Sequence, residues 1–221
     1  MKWEKQIVLV HLAHLMNALS VHLVWKQSSA PTCPKRNSEG AKNELVKANK
    51  SEKQSLNFIL ALEHKPVYTV GIRSKQYTKE EERRLRELGA EFHRTSRGGL
   101  ITFHGPGQLV LYPICDIRRI STRNLGVRNF VDKLEQTIID SATEGFGIHS
   151  VGRTENTGVW VCGERKLAAI GIAVSGGVSY HGIAINCNTD LAWFDNVSFI
   201  LGFFSFKCAQ KFPVLFLPCP I

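Results

Sequence analysis

A glycine-rich stretch in the middle of the chain, RGGLITFHGPGQLVLYP at residues 97–113, limits the possible folds more than any other segment. Its two glycine clusters, Gly98-Gly99 and Gly105-Pro106-Gly107, flank a short strand-like run at residues 100–103. Glycine is used where the backbone takes a positive φ or where another group must approach the main chain closely. The stretch therefore predicts either backbone wrapped around a ligand or a pair of tight turns without one.

The rest of the chain predicts a sheet with helices packed on it. Short apolar or β-branched runs predict strands at residues 56–62, 67–70, 90–95, 109–114, 158–161, 166–174 and 178–188. Apolar residues at helical spacing predict helices at residues 78–88, where Thr78 and Glu81 match a capping box, and at residues 127–142. We therefore expect an α+β fold, a mixed or mainly antiparallel sheet with packed helices.

The two ends and one internal segment depart from this pattern. Residues 7–10 predict a strand and residues 12–26 predict a helix. Residues 28–55 are polar and contain two prolines, which predicts a flexible insertion rather than a second domain. Residues 197–221 are apolar and predict a tail that exposes a sticky surface. The organisation expected is one domain over residues 1–196 followed by this tail.

Charge and cysteine spacing narrow the classes of function. The net charge of +9 favours acidic partners, but the basic residues form no dense run, which argues against binding to nucleic acid. No apolar run approaches the roughly 20 residues that span a bilayer. The six cysteines include no C-x-x-C pair, which argues against a zinc site. We find no secretory signal before them and therefore expect reduced thiols in an intracellular protein. The first five residues give at best a weak targeting signal.

Two side chains in the predicted strands are candidates for chemistry. Lys166 begins an otherwise apolar strand, where partial burial would let it exchange protons, although an edge lysine can also reach water along its own stem. His181 stands beside Gly182 and is either a ligand contact or a hydrogen-bonded core residue. Asn186 and Asp190 follow, and either serve a substrate or tie down a turn.

Four ordered motifs make the chain recognisable. They are EHKPVYTVG from residue 63, the stretch at residues 97–113, KLAAIG from Lys166, and YHGIAINCNTDLAWF from Tyr180. In this order and spacing they closely resemble the lipoyl(octanoyl) transferase family, the octanoyl-carrier-protein:protein N-octanoyltransferases. The resemblance covers nearly all of residues 56–195. It implies a fold similar to the catalytic domain of the biotin and lipoate protein ligases.

The resemblance also implies an activity. Members of the family move an octanoyl or lipoyl group from acyl carrier protein to a lysine of lipoyl domains, which are carried by the glycine cleavage H protein and the E2 subunits of 2-oxoacid dehydrogenases. A cysteine attacks the acyl thioester and a lysine, matched here by Lys166, assists it. No cofactor or metal is required, and eukaryotic members are mitochondrial. The implied substrate contacts are Arg97, Gly98, Gly99, Leu100, Ile101, Thr102, Phe103, His104, Ala169, Ile170, Gly171, Gly182, Ile183 and Ala184.

The sequence departs from the family where the nucleophile is expected. The family has a P-C-G cysteine that would fall near Ile200, and none is present there. Cys187, Cys208 and Cys219 are the possible replacements, with Cys187 slightly favoured because it is next to the implied acyl site. The alternative is a non-catalytic isoform that binds the acyl group or the carrier protein without turnover. An ATP-dependent ligase of the same fold is a further alternative, which the HGPGQ motif disfavours.

Overall fold

Two β-sheets and three helices make up the part of the chain that the structure, a computed structural model, describes: residues 21–25, 57–75, 77–120, 125–198 and 207–208. The strands are β1 (Val21–Trp25), β2 (Asn57–Leu62), β3 (Val67–Val70), β4 (Glu91–Arg94), β5 (Ile101–His104), β6 (Gln108–Ile114), β7 (Val151–Gly152), β8 (Val159–Val161), β9 (Arg165–Ser175), β10 (Val178–Asn186) and β11 (Lys207–Cys208). The helices are α1 (Lys79–Glu87), α2 (Val127–Asp140), which continues as a π-helical turn over Ser141–Gly145, and α3 (Ala192–Ser198).

The larger sheet has eight strands and is mixed, as expected. Its order is β1-β2-β6-β10-β9-β8-β7, and β11 pairs with β9 outside this path. The β1–β2 and β11–β9 pairs are parallel, whereas the other pairs in this sheet are antiparallel. The long central strands β9 and β10 pair over eight positions and provide the platform for the site.

A second sheet of three strands was not anticipated from the sequence, which predicted only one sheet. Its order is β4-β3-β5, with β3 parallel to β4 and antiparallel to β5. The strands themselves lie where their apolar runs predict them. Their division into two sheets depends on pairing between distant segments, which local patterns do not encode.

Each sheet has its own hydrophobic core. Helix α2 buries Phe130, Leu134 and Ile138, spaced one helical turn apart, against the larger sheet. Helices α1 and α3 cover the smaller sheet, where Leu85 is fully buried. The ring of Phe103 stacks on that of Trp193 with 4.9 Å between their centroids, which ties α3 to β5.

The N-terminal prediction is wrong at residues 21–25. The predicted helix included this segment, but the structure has strand β1, which runs parallel to β2 from Val21↔Asn57 to Trp25↔Ala61. Valine and tryptophan favour strands, and pairing with β2 overrides the weak helical spacing. The predicted strand at residues 7–10, the insertion at residues 28–55 and most of the tail lie outside the described residues. Of the tail beyond α3, the structure describes only β11.

The predicted capping box at α1 is confirmed and can be tested. The Thr78 hydroxyl accepts the backbone N–H of Glu81 at 3.2 Å, and the Glu81 carboxylate accepts the backbone N–H of Thr78 at 2.8 Å. We expect Thr78→Ala to lower the free energy of unfolding by about 1 kcal/mol, measured by urea denaturation. Thr78→Ser keeps the hydroxyl and serves as the control. Equal stability of Thr78→Ala and the wild type would contradict this role of the cap.

Candidate active site

A cavity of about 920 Å³ is lined by residues from both sheets, from the start of α2 and from the segment at residues 153–157. This volume is in the range of pockets that hold small molecules and cofactors. The predicted site residues that line it are Arg97, Gly98, Gly99, Leu100, Ile101, Thr102, His104, Lys166, Ala169, Ile170, Gly171, Gly182, Ile183 and Ala184.

Phe103 is the predicted contact that does not line this cavity. Its ring is fully buried in the core of the smaller sheet, where it packs on Tyr68, Trp193 and Phe194. The prediction assigned every residue of the motif as a substrate contact. Neighbouring side chains of a strand, however, point to opposite faces. Phe103 therefore supports the cavity wall from behind.

Small residues form one wall of the cavity because two main chains meet there. On β9 and β10, Ala169 pairs with Ala184 and Gly171 pairs with Gly182. The backbone N–H of Gly98 donates to the carbonyl of Ile172 at 3.4 Å. A Cβ on Gly171 would lie 3.2 Å from the carbonyl oxygen of Gly98, and one on Gly182 would overlap backbone in β6. Close approach therefore requires glycine at Gly182, and a side chain at Gly171 would need its neighbours to shift by a few tenths of an ångström.

The two glycine clusters of the central stretch have different roles. Gly98 and Gly99 line the cavity. The second cluster is the turn between β5 and β6, in which Gly105 accepts the backbone N–H of Gln108 at 3.2 Å and Gly107 has a φ of 81°. The second cluster is therefore a tight turn without a ligand, whereas a ligand contact of the first cluster stays a prediction.

Arg97 brings a positive charge to the cavity wall. Its guanidinium donates to the Thr69 carbonyl at 2.6 Å, to the Thr69 hydroxyl at 3.0 Å and to the Gly98 carbonyl at 2.9 Å. Burial lowers the pKa of Arg97 to about 10, so the group is cationic at neutral pH. It makes no ion pair with any described residue, and its partners are all neutral. Such a cation is suited to a ligand that is anionic or becomes anionic during reaction.

A chain of buried side chains in the wall of the cavity connects the two sheets. Gln108 donates from Nε2 to Asn186 Oδ1 at 2.9 Å, and its Oε1 lies 2.7 Å from His104 Nδ1. Because Gln108 Oε1 is an acceptor, His104 carries its proton on Nδ1. Its Nε2 then accepts from the Thr69 hydroxyl at 3.2 Å. Asn186 also donates to the backbone carbonyl of Lys166 at 3.3 Å, so the chain reaches the strand that carries the lysine.

Sequence reasoning did not select two members of this chain, Thr69 and Gln108, and left Asn186 open. Thr69 and Gln108 both lie inside the recognised motifs, which was the available signal. Their role depends on contacts between residues far apart in the sequence, such as Gln108 with Asn186. That pairing appears only when β6 lies beside β10.

Lys166 is half-buried at the rim of the cavity and is engaged on two sides. Its ammonium donates to the Thr157 carbonyl at 3.3 Å and lies 4.5 Å from the centroid of the Trp160 ring. The side chain therefore does not extend freely into water, as an ordinary edge lysine would.

The cysteines differ in their access to Lys166. Cys187 is buried in the core beneath α2 and does not line the cavity. Cys115 is also buried, which raises its pKa to about 12. In the β11–β9 pair, the backbone of Cys208 is in register with Lys166. The expectation of reduced thiols is met by Cys115 and Cys187 but is wrong for Cys162, which is disulfide-bonded.

The described residues show neither a metal-binding cluster nor a membrane-spanning helix. Within the described ranges, no group of three or more His, Cys, Asp or Glu side chains is arranged to hold a metal ion. No helix in the same ranges is long and apolar enough to cross a membrane.

Comparison with known families gives the cavity a context. The family model of the lipoyl protein ligase A/B catalytic domain matches residues 40–200. The chain belongs to this family. Relatives within the lipoyl protein ligase A/B family include the mitochondrial octanoyl-[acyl-carrier-protein]:protein N-octanoyltransferase LIPT2 of Danio rerio, 50% identical over 64% of this chain and 60% of its own length. The mitochondrial octanoyltransferase LIP2 of Arabidopsis thaliana is 43% identical over 63% of this chain and 58% of its own length. The octanoyltransferase resemblance read from the sequence is thus confirmed.

The chain spans about three fifths of the length of these relatives. Solved structures of the family have the same fold. A lipoate-protein ligase A bound with ATP has a TM-score of 0.60 at 12% identity, over 90% of this chain and 78% of that one. A bi-partite lipoate protein ligase from Thermoplasma acidophilum, studied with its E2 lipoyl domain, has a TM-score of 0.59 at 13% identity, over 90% and 78%. The predicted fold class is therefore confirmed.

Two buried histidines, His64 and His104, predict a pH dependence of stability. Burial lowers the pKa of His64 to about 4 and that of His104 to about 3. As pH falls below about 6.5, these histidines bind protons in the unfolded chain before they do so in the folded one. Each should therefore reduce the free energy of unfolding by up to about 1.4 kcal/mol per pH unit until its folded pKa is reached.

Urea denaturation of His64→Gln between about pH 7 and pH 4.5 tests this dependence. We expect the variant to lose less stability over this interval than the wild type. Replacement of the exposed His149 by glutamine is the matched control and should leave the slope unchanged. Equal slopes for His64→Gln and the wild type would contradict the burial effect.

Proposed function

We propose that this chain transfers an octanoyl or lipoyl group from acyl carrier protein to a specific lysine of a lipoyl domain. The observation that carries the proposal is a cavity lined by small residues of two strands, with the cationic Arg97 in its wall and Lys166 at its rim. Membership of the lipoyl protein ligase A/B family and relatives named octanoyltransferases support it.

The small-residue wall suits an extended acyl chain. Side chains at Ala169 and Ala184 end at Cβ, so an alkyl chain can lie against this part of the two strands. Burial of methylene groups stabilises such a complex by about 0.8 kcal/mol each. We propose that the thioester carbonyl lies toward Arg97, whose charge stabilises the oxyanion formed during attack.

The reaction proposed has two acyl transfers. A cysteine thiolate attacks the carbonyl of the carrier thioester, a new thioester forms on the enzyme, and the pantetheine thiolate leaves with a proton from the Lys166 ammonium. The neutral amine of the acceptor lysine then attacks the enzyme thioester and forms the amide. Its proton passes to the Lys166 amine, and the cysteine leaves as thiolate. Both groups thus return to their starting protonation states.

Cys208 is the cysteine that we propose for this attack. Its support is the backbone register of β11 with β9, which sets Cys208 beside Lys166. Cys187, which the sequence slightly favoured, is buried in the hydrophobic core and has no such relation to the cavity. Because Cys162 is disulfide-bonded, the assay should include a reductant.

The partners and location proposed follow from charge and relatedness. A net charge of +9 complements acidic carrier proteins and acidic lipoyl domains. We propose the glycine cleavage H protein and the E2 subunits of 2-oxoacid dehydrogenases as acceptors. Relatives named mitochondrial octanoyltransferases support a mitochondrial location. The proposed reaction needs no cofactor.

Incubation of the full chain with octanoyl-acyl carrier protein tests the first transfer. We expect intact-mass spectrometry to find an octanoyl adduct on the wild type, and peptide mapping to assign it to Cys208. The adduct should be absent from Cys208→Ser and present on Cys187→Ser. Binding of the carrier without any adduct would instead support the non-catalytic isoform, and absence of both would overturn the proposal.

Addition of a lipoyl domain tests the second transfer and the role of Lys166. We expect Lys166→Ala to slow octanoylation of the domain by about 100-fold or more, the range for loss of a general acid–base. Lys133→Ala, on the exposed surface of α2, is the matched control. Loading of free lipoate that requires ATP, in place of transfer from the carrier, would favour the ligase alternative.

A further inference from the structure

The ammonium of Lys166 lies against an aromatic ring supplied by the neighbouring strand. Trp160 on β8 and Lys166 on β9 are directly paired across antiparallel strands, so their side chains lie on the same face. The Lys166 Nζ is 4.5 Å from the centroid of the Trp160 ring and 3.3 Å from the carbonyl oxygen of Thr157. Both groups are electron-rich and attract the charged form of the lysine.

Trp160 is itself held in a fixed orientation. Its side chain is buried, and its indole Nε1–H donates to the carbonyl of Asn156 at 3.0 Å. The ladder between β8 and β9 shifts register between Val159 and Trp160. Such an irregularity changes where side chains of the strand point. The ring is therefore a rigid surface rather than a mobile neighbour of the lysine.

The segment that provides the two carbonyls is anchored by a buried carboxylate on α2. One oxygen of Glu135 accepts the backbone N–H of Gly158 at 2.8 Å, and the other accepts Arg153 Nε at 3.0 Å. Arg153 also donates to the carbonyl of Asp132 at 2.7 Å. Gly158 has a φ of 127°, and a Cβ there would lie 2.6 Å from the carbonyl oxygen of Ala168. The segment is thus fixed to both α2 and β9.

We propose that Trp160 is a positioning residue for Lys166, with its ring and the Thr157 carbonyl holding the lysine at the cavity rim in the ammonium form. The inference rests on the proposed function, in which Lys166 gives a proton to the leaving thiolate. Both contacts weaken when the lysine becomes neutral, so they favour recovery of the proton in the second transfer. They also restrict the rotamers of this long side chain, which would otherwise sample many conformations.

The elements next to the lysine carry other charged residues. Glu135 on α2 and Arg153 and Glu155 before β8 line the same cavity, Arg165 precedes the lysine on β9, and the backbone of Lys207 on β11 pairs with that of Arg165. Substitution of Trp160 leaves all of them in place. A comparison of variants at this one position therefore isolates the contribution of the ring.

The test compares Trp160→Phe, which keeps an aromatic face but loses the indole N–H, with Trp160→Leu and Trp160→Met, which have none. The probe is a limiting concentration of acetic anhydride, with acetylation of Lys166 quantified by peptide mass spectrometry across a pH series. This rate follows the neutral amine and is independent of enzymatic activity. Methionine adapts to the space left by the ring and keeps the test valid if the leucine variant does not fold.

We expect the pH midpoint of Lys166 acetylation to fall by about half a pH unit in the leucine and methionine variants, which corresponds to about threefold faster labelling below the midpoint. Trp160→Phe should keep most of the wild-type midpoint. Midpoints equal to the wild type in both non-aromatic variants would overturn the proposal. Faster labelling at every pH with the same midpoint would also overturn it, because that pattern reports only greater access.

Octanoyl transfer provides a second readout. We expect Trp160→Leu and Trp160→Met to lower kcat about tenfold with little change in KM for the carrier, and Trp160→Phe to retain most activity. A larger effect on KM than on kcat would contradict a role in positioning the lysine. If the wild type transfers no octanoyl group, the proposed function fails, while the acetylation midpoints still decide whether Trp160 controls Lys166.

Discussion

The close contact between two main chains, at Gly98 and at the β9–β10 pair, is the constraint on which the site depends. A hydrogen bond of 3.4 Å from Gly98 to Ile172 joins the segment after β4 to the larger sheet. A Cβ at Gly171 would lie 3.2 Å from the carbonyl oxygen of Gly98 and would press on this contact. This contact brings the smaller sheet over the larger one, so that the cavity is bounded by both. A bulky residue at this junction would separate the sheets and open the cavity.

The cationic side chains of the cavity and the neutral buried histidines occupy different positions. Arg97 lies in the wall of the cavity and Lys166 at its rim, and both are cationic groups. Both donate hydrogen bonds to neutral backbone carbonyl oxygens. The buried His64 and the cavity-lining His104 are neutral because burial lowers their pKa. Positive charge is therefore concentrated at the wall and the rim, where the proposed thioester would become negative, and the two histidines add none.

Local sequence patterns predict much of the fold but less of the candidate site. The strands from residue 57 onward and the cap at Thr78 follow from apolar runs and local hydrogen-bonding patterns. The error at residues 21–25 and the second sheet have one cause, since pairing with a distant strand overrides local preference. The resemblance identified the residues around the cavity, but Phe103 faces the core. Trp160 was missed because only strand register brings it to Lys166.

One amide side chain joins the two sheets, and this limits how the protein can evolve. Gln108 accepts from His104 with its oxygen and donates with its nitrogen to Asn186 and to the Phe103 carbonyl. No other common side chain of this length offers both an acceptor and two donors. Substitution of Gln108 alone would leave the imidazole of His104 or the amide of Asn186 buried without this hydrogen bond. Descendants of this sequence should therefore either keep all three side chains or exchange them together.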